Sequence, residues 1–143
     1  MNRRQLLRNS ALSSLAFAGA FAQAQTDTSG ITPETVYELR VYHLNEGKLP
    51  LILERFRAHE TKIFTRHGMH NVAFWTPTEP PLAGQTLIYM LRHKNREAAR
   101  ASWDAFRADP EWVALKAETE KDGAFVVKSE STFLQLTDFS PKL

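Results

Sequence analysis

The sequence predicts an α+β domain in which four antiparallel strands form one sheet and helices cover one of its faces. Strand-like runs rich in β-branched and aromatic residues alternate with stretches of helical periodicity. They follow each other in the order βαββαβ without an internal repeat. The 143-residue chain suggests one domain. It contains no cysteine, so disulfides, a thiol nucleophile and a thiolate metal site are excluded.

Residues 1–24 have the composition of an export signal. Arg3 and Arg4 precede an uncharged run of small apolar residues, and Ala22-Gln23-Ala24 forms a small-x-small cleavage pattern. The run is too short and too weakly apolar for a stable membrane span. Its start resembles a twin-arginine signal, with an ordinary Sec signal as the alternative. We therefore expect a periplasmic or secreted protein without a membrane span after cleavage, with a flexible tether over residues 25–35.

The charge balance of the mature chain gives no reason to expect a nucleic-acid partner. The full chain has 18 Lys and Arg against 16 Asp and Glu. Arg3, Arg4 and Arg8 belong to the export signal, which has no acidic residue, so 15 basic and 16 acidic residues remain. The basic pI is therefore a property of the signal.

The first predicted strand covers residues 36–43, because these are rich in β-branched and aromatic types and include no Gly or Pro. Residues two apart share a face of a strand. We predict that the apolar face lies beneath the helices and beside any ligand; it carries Tyr37, Leu39, Val41 and His43. The mixed face is predicted to meet a partner subunit, with Glu38, Arg40 and Tyr42 at the dimer interface.

A long helix is predicted over residues 48–67, where apolar side chains recur at helical spacing. This stripe consists of Leu49, Ile52, Leu53, Phe56, Ile63 and Phe64. Pro50 is tolerated in the first turn of the helix. Gly68 follows directly and suits a left-handed cap.

The remaining elements are two strands, two helices and a last strand. Strands are predicted over residues 70–76 and 85–93, separated by a Pro- and Gly-rich connector. Asn95 is a good N-cap for a helix over residues 96–108. Asp109 and Pro110 then begin a short helix that ends near Asp122-Gly123. The last strand lies within residues 125–139, most strongly 131–137.

This order is that of the ferredoxin-like split βαβ arrangement. Two helices would cover one face of the sheet, and the other face has too little polar alternation to lie against water. We therefore predict a homodimer in which two sheets pack face to face into a closed or nearly closed barrel.

The mature chain resembles the NIPSNAP domain family, within the dimeric α+β barrel superfamily, over residues 36–140. The resemblance is carried by short pieces in a fixed order. These are Tyr37-Glu38-Leu39-Arg40-Val41-Tyr42, Glu46-Gly47-Lys48, Arg66-His67-Gly68, Phe74-Trp75-Thr76, Ala108-Asp109-Pro110-Glu111-Trp112 and Phe139-Ser140-Pro141. The chain departs from the family near Leu91 and His93, where a Trp and a Tyr are expected. The resemblance implies the fold and the dimer but no particular reaction. Relatives in the wider superfamily include cofactor-independent monooxygenases, haem-degrading enzymes and small-molecule isomerases.

Four residues are predicted to contact a ligand between sheet and helices, namely His67, Trp75, Tyr89 and Trp103. His67 lies in a family motif, and superfamily relatives place ligands in the strand-to-helix cleft where Trp75 and Trp103 are expected. The simpler interpretation is core packing for the tryptophans and a polar edge position for His67. The histidines lack the spacing of a metal site, so no metal is predicted.

No spacing in the sequence predicts a catalytic triad or a dinucleotide site, and no cofactor is predicted. The leading hypothesis is an exported homodimer that binds a small, partly apolar molecule. The alternatives are an enzyme that resembles the cofactor-independent monooxygenases or handles haem, and a structural or interaction dimer without a ligand.

Overall fold

The computed structural model describes residues 30–143, so the predicted export signal and the start of the tether lie outside the described residues. The strands are β1 (Val36–Leu44), β2 (His70–Trp75), β3 (Thr86–His93) and β4 (Val126–Leu134). The helices are α1 (Leu49–Arg55), α2 (Thr61–Arg66), α3 (Arg96–Ala108) and α4 (Pro110–Thr119), and a π-helical segment (Phe56–Glu60) joins α1 to α2.

The four strands form one antiparallel sheet in the order β2-β3-β1-β4. β1 lies between β3 and β4, with Arg40 opposite Tyr89 on one side and Ser131 on the other. The ferredoxin-like fold predicted from the sequence is therefore confirmed.

Local sequence features fix the ends of the helices. The Asn95 side chain accepts a hydrogen bond from Ala98 N at 2.8 Å, and Asp109 caps α4 by accepting one from Glu111 N at 2.8 Å. Gly68 has a φ of 79°, the left-handed conformation predicted after the long helix. These caps begin α3 and α4, and end α2, at the predicted positions.

The core lies between the helices and one face of the sheet. Phe64 of α2 connects the two layers, since its ring contacts Tyr89 at 6.0 Å and Trp103 at 5.5 Å between centroids. The core residues are Tyr42, Leu44, Ile52, Phe56, Ile63, Phe64, Met69, Leu87, Tyr89, Leu91, Trp103, Phe106 and Phe125.

The predicted assignment of the two faces of β1 is wrong. Tyr42 packs edge-to-face against Phe56, and Glu38 accepts a hydrogen bond from Trp103 of α3. Glu38, Arg40 and Tyr42 therefore face the helices, and they cannot form an interface on the opposite side of the sheet. That side, here called the open face, carries the alternate residues of β1, namely Tyr37, Leu39, Val41 and His43.

Two boundaries also differ from the prediction. β4 begins at Val126 and ends at Leu134, so the favoured stretch 131–137 was too late in the chain. α4 ends at Thr119, before the predicted Asp122-Gly123. The side chains of β4 are mostly exposed, so the apolar pattern that would mark the strand is weak there.

Candidate functional site

The inner cleft is a cavity of about 240 Å³ that touches β1, the π-helical segment, α4 and β4. Trp112 and Val126 contribute apolar wall, whereas Tyr42, Arg55 and Glu60 contribute polar groups that are buried in the chain. The full lining is Tyr42, Arg55, Glu60, Trp112, Lys116, Glu120, Ala124, Val126 and Ser129. A concave site with apolar walls and a few converging polar groups is typical of small-molecule binding.

The π-helical segment places Arg55 and Glu60 on the same side of the helix. In an α-helix, residues five apart lie about 140° apart around the axis and face different directions. The wider π turn has i to i+5 hydrogen bonds, and Thr61 donates both its backbone N–H and its hydroxyl to Phe56 O. Arg55 Nε consequently reaches Glu60 Oε2 at 2.9 Å.

Arg55 is held on all sides. Its guanidinium lies between two aromatic rings, 5.0 Å from the centroid of Trp112 and 4.8 Å from that of Phe125. Nη1 donates to Glu120 at 2.8 Å and to Thr119 at 3.2 Å. These contacts fix the arginine at the edge of the cleft and compensate its charge.

Glu60 is the unusual group of the cleft. Its side chain is buried, and burial raises the pKa of its carboxyl to about 7, although the charge and hydrogen bond of Arg55 act in the opposite direction. A carboxyl whose pKa lies near neutrality can accept and release a proton under ordinary conditions. Such groups are enriched at functional sites.

The hydroxyl groups of two tyrosines meet at the inner cleft. Tyr89 donates a hydrogen bond from its hydroxyl to the Tyr42 hydroxyl at 2.7 Å, and Arg40 Nη2 lies 3.5 Å from the same oxygen. Burial raises the pKa of both phenols, so both are protonated near neutral pH. Tyr42 lines the inner cleft and accepts these two hydrogen bonds, so its own proton remains free to donate.

A second buried carboxylate, Glu38, has every acceptor site occupied. Its Oε1 accepts from Arg40 and Ser131, and its Oε2 accepts from His93 and Trp103, at distances of 2.7–2.9 Å. Burial disfavours the charged form, but these hydrogen bonds outweigh it and lower the pKa of Glu38 to about 2. This cluster ties β1, β3, β4 and α3 together.

The four predicted ligand residues do not line one cavity. Tyr89 and Trp103 are buried in the core, and only Tyr89 approaches the inner cleft, through Tyr42. Trp75 is 47 % exposed at the end of β2. Its neighbour Phe74 stacks on Tyr89, so Trp75 lies on the open face, opposite to Trp103. The predicted cleft between these two tryptophans does not exist.

His67 has a structural position at the end of α2. His67 Nε2 and Arg66 Nη2 both contact Asp109 Oδ2, at 2.6 and 2.7 Å. Asp109 Oδ1 accepts from the backbone N–H groups of Glu111 and Trp112 at the start of α4. Two of the motif pieces named above, around His67 and around Asp109, thus come together where the end of α2 contacts the start of α4.

Sequence reasoning missed Arg55, Glu60 and Trp112 as site residues. One signal could have identified Glu60. It is four residues after Phe56 and three before Ile63, so it interrupts the apolar stripe that was used to predict the helix. A charged residue at such a position needs a buried partner or a function.

A larger depression, of about 350 Å³, lies on the other side of Arg55 and is lined by Leu51, Glu54, Arg55, Ala58, His59, Leu115, Thr119 and Phe125. Its carboxylate, Glu54, is exposed and paired with Arg57.

Within residues 30–143, no group of three or more acidic or histidine side chains is arranged for a metal ion. No helix in that range is long and apolar enough to span a membrane.

Solved structures share this fold. A NIPSNAP-like domain protein from Burkholderia xenovorans has a TM-score of 0.68 and 17% identity, with 78% of this chain and 93% of that chain covered. A NIPSNAP family protein of unknown function from Agrobacterium tumefaciens has a TM-score of 0.65 and 19% identity, with 78% and 96% covered. SnoaB, a cofactor-independent oxygenase from Streptomyces nogalater, has a TM-score of 0.50 and 14% identity, with 76% and 99% covered. At these identities the likeness concerns the fold alone.

The comparison of sequences is more specific. No curated protein matches the chain. The sequence pattern of the NIPSNAP family matches residues 37–141, which include every strand and helix apart from the first residue of β1. The chain therefore belongs to the NIPSNAP family.

Proposed function

We propose that this protein binds a small, partly apolar molecule in the inner cleft, as an exported homodimer. The observation that carries the proposal is the composition of the cleft. Trp112 offers an aromatic surface, while Tyr42 and Glu60 offer a hydroxyl and a carboxyl at the buried end. A flat ring with one polar substituent matches this arrangement, because the ring contacts the wall and the substituent meets the polar groups.

The cavity limits the size of the ligand. A volume of about 240 Å³ holds one or two fused rings but not a nucleotide or a lipid. The rim also carries Lys116 and Glu120, which solvent reaches more easily than the buried pair of Arg55 and Glu60. Polar substituents at the outer end of the ligand are therefore tolerated.

The proposal is tested with naphthol as the probe and calorimetric titration as the measurement. Ala124 lines the cleft but is exposed, so A124W fills the mouth without disturbing the core. We expect at least a tenfold loss of affinity. Val113, exposed on α4 and outside the cleft lining, provides the control V113W, which should bind as the wild type does. Failure of the wild-type protein to bind, or equal binding by A124W, contradicts the proposal. Native mass spectrometry of protein from its own host would identify the natural ligand.

The homodimer is proposed to form through the open face of the sheet. The middle of that face is apolar and partly exposed in the single chain, with Leu39 and Val41 on β1 beside Ile88 and Met90 on β3. Leaving such a surface against water is unfavourable, and pairing two sheets covers it. The residues first predicted for this interface, on the opposite face of β1, are replaced by these four.

Light scattering of the mature protein tests the dimer. V41E places a charge in the middle of the open face and is expected to give a monomer. V113E adds the same charge on α4, on the helical side, and is expected to leave the dimer intact. A wild-type monomer at micromolar concentration, or a dimeric V41E, contradicts this interface.

Export is tested separately by fractionation of cells that express the wild-type chain or the double variant R3K/R4K.

A second candidate function is an oxidative enzyme without a cofactor. Glu60 favours it, because a buried carboxyl with a pKa of about 7 in a cleft is suited to take a proton from a substrate. The fold shared with the oxygenase SnoaB is consistent with this. Dioxygen uptake with anthrone or a quinol tests the candidate, and E60Q should abolish the uptake. A Soret band after haem addition would instead support a haem-handling role.

The third possibility is a structural or interaction dimer without a ligand. In that case substitutions in the cleft, such as A124W and Y42F, change stability alone and no probe binds. The titration with naphthol therefore distinguishes all the ligand-based proposals from this one.

A further inference from the structure

We propose that the inner cleft selects a phenol or an enol and takes up the proton of its hydroxyl group on Glu60. The inference rests on the proposed function, since it names the chemical class of the small molecule bound in the same cleft. It is carried by the hydrogen-bond arrangement of Glu60 and Tyr42.

Glu60 has an unused acceptor. Arg55 donates to Oε2, and no described residue donates to Oε1. Glu60 lines the cleft, so a hydroxyl group of a bound molecule can donate to Oε1. Glu38 offers the contrast, because its two oxygens accept four hydrogen bonds and leave nothing for a ligand.

Tyr42 has an unused donor. Its hydroxyl oxygen accepts from Tyr89 at 2.7 Å and lies 3.5 Å from Arg40 Nη2. Its own proton is not used in either contact, and Tyr42 lines the same cleft as Glu60. These contacts therefore leave the Tyr42 O–H available to donate to a ligand oxygen in the cleft, and the charge of Arg40 polarises it. Such a donor stabilises an oxyanion more than a neutral hydroxyl.

The two groups together define a proton transfer. The O–H bond of the ligand breaks, the proton forms a bond with Glu60 Oε1, and the electron pair remains on the ligand oxygen. Tyr42 and the nearby positive charges of Arg55 and Lys116 then stabilise the phenolate or enolate. The total charge of the cleft does not change, and no oxidant or other reactant is needed.

The charges of the cleft argue against other classes of small molecule. A carboxylic acid would arrive ionised, so it would bring a second negative charge beside Glu60 and would have no proton to transfer to it. An amine would arrive as a cation beside Arg55 and Lys116. A phenol or an enol enters neutral and acquires its charge only where Tyr42 and Arg55 are in place. The carboxyl pKa of about 7 suits this exchange, because the proton affinity of Glu60 then matches that of an acidic phenol.

The test uses para-nitrophenol, whose phenolate absorbs visible light and whose pKa lies near neutrality. We expect wild-type protein to bind it as the phenolate even at slightly acidic pH, where the free phenol is colourless. The complex contains one proton, so affinity should be bell-shaped against pH and fall about tenfold per pH unit on both sides. Below the pKa of Glu60, both free species are protonated, so binding must release one proton and affinity falls. Above the pKa of the phenol, both are ionised, so binding must take up one proton and affinity falls again.

The variant E60Q resembles the protonated carboxyl at every pH. Its affinity should rise with pH to a plateau at the pKa of the phenol and should not fall at higher pH. The control is E54Q, which changes an exposed glutamate on α1 and should keep the bell shape. If E60Q does not fold, the visible spectrum of the wild-type complex still decides.

Three outcomes overturn the inference. A colourless complex at acidic pH shows that the ligand keeps its proton. A wild-type profile identical to that of E60Q shows that Glu60 is not the acceptor. If naphthol binds in an A124W-sensitive manner in either case, the proposed function stands and only the inference fails. Absence of binding of both probes to the wild-type protein overturns the two together.

Discussion

Glu38 and Glu60 are two buried glutamates, each 1% exposed and each hydrogen-bonded to an arginine, yet they behave in opposite ways. The pKa of Glu38 is lowered to about 2, whereas that of Glu60 is raised to about 7. Burial acts in the same direction on both. Four hydrogen-bond donors lower the pKa of Glu38, whereas Glu60 has only Arg55 as a hydrogen-bond donor among the described residues, and the nearby charge of Glu120 raises its pKa further.

The four donors of Glu38 come from four different elements of the fold. A carboxylate that is satisfied in this way acts as a structural link. Within residues 30–143, Glu60 has one donor side chain and one free oxygen beside a cavity, so it keeps capacity for a ligand. Burial alone does not distinguish the two glutamates, whereas an incomplete set of partners next to a cleft does.

The largest effect on stability is expected for E38A. The substitution leaves Arg40 and His93 without their acceptor inside the protein, and we expect a loss of about 3–5 kcal/mol in the free energy of unfolding. Urea denaturation measures this. The control E130A removes an exposed carboxylate from β4 and should have no measurable effect. If E38A loses no more free energy of unfolding than E60A, the two glutamates do not differ in their structural role.

A smaller effect is expected for W103F. The phenyl ring retains most of the packing against Phe64 and Arg40, but the indole N–H that donates to Glu38 at 2.7 Å is lost. We expect about 1–3 kcal/mol of destabilisation, measured by urea denaturation. W112F is the matched control, because no hydrogen bond to the indole N–H of Trp112 is found among the described residues. Equal losses would assign the effect to packing alone.

The pH dependence of stability should separate the two carboxyls directly. The folded protein binds the Glu60 proton more tightly than the unfolded chain, whose glutamates titrate near 4.5. Stability should therefore fall as pH rises from about 4.5 to 7, by up to about 3 kcal/mol, and then stay level. The pKa of Glu38 is lowered instead, so its contribution is present above about 4.5 and is lost as pH falls toward 2.

Thermal unfolding across this range, in wild type and E60Q, provides the measurement. E60Q cannot ionise and should remove the slope between about pH 5 and 7 while it keeps the loss in acid. An unchanged slope in E60Q would mean that another group titrates there.

The smallest effect on stability is expected for Y42F. The change removes the hydroxyl that accepts from Tyr89, at a cost of about 1 kcal/mol. The same change should weaken binding of a phenolate in the cleft by about tenfold, because the free donor is lost. Denaturation and titration of one preparation measure both. Y37F is the control, since Tyr37 lies on the open face and its hydroxyl makes only a long hydrogen bond, 3.5 Å, to Leu143 O; neither stability nor binding should change measurably. A large loss of stability with unchanged binding would show that the Tyr42 hydroxyl has a structural role, like Glu38, and does not contact the ligand.

The sequence was sufficient to predict the strands, the helices and their order. The signals for these were local, such as the Asn95 and Asp109 caps and the left-handed Gly68. The positions of β4 and of the end of α4 were less accurate, because their side chains are largely exposed and carry little periodic pattern.

The faces of β1 could not be assigned from the strand itself. Both faces hold apolar and aromatic residues, so alternation did not show which one is covered. The sequence predicts Glu38 and Arg40 at the dimer interface because the alternate face, with Tyr37, Leu39 and Val41, is the more apolar one. The donors that make them fit inside, His93, Trp103 and Ser131, are at least 55 residues away along the chain. No local rule connects them.

The candidate site was only partly accessible from the sequence. Tyr89, which the sequence predicts as a ligand residue, lies between sheet and helices and reaches the inner cleft only through Tyr42. Glu60 was visible as an interruption of the apolar stripe. Its pairing with Arg55 was not, because a spacing of five does not bring two residues together in an ordinary helix.

The π-helical segment also has a consequence for the length of the chain in this family. Removing one residue between Arg55 and Glu60 would give a spacing of four, which an α-helix serves without the wider turn. A relative with that spacing would keep the ion pair but lose the extra residue, and Ala58 and His59 would shift around the axis. A spacing of five residues from arginine to glutamate therefore depends on the wider turn, and a chain one residue shorter at this point would have a cleft of a different shape.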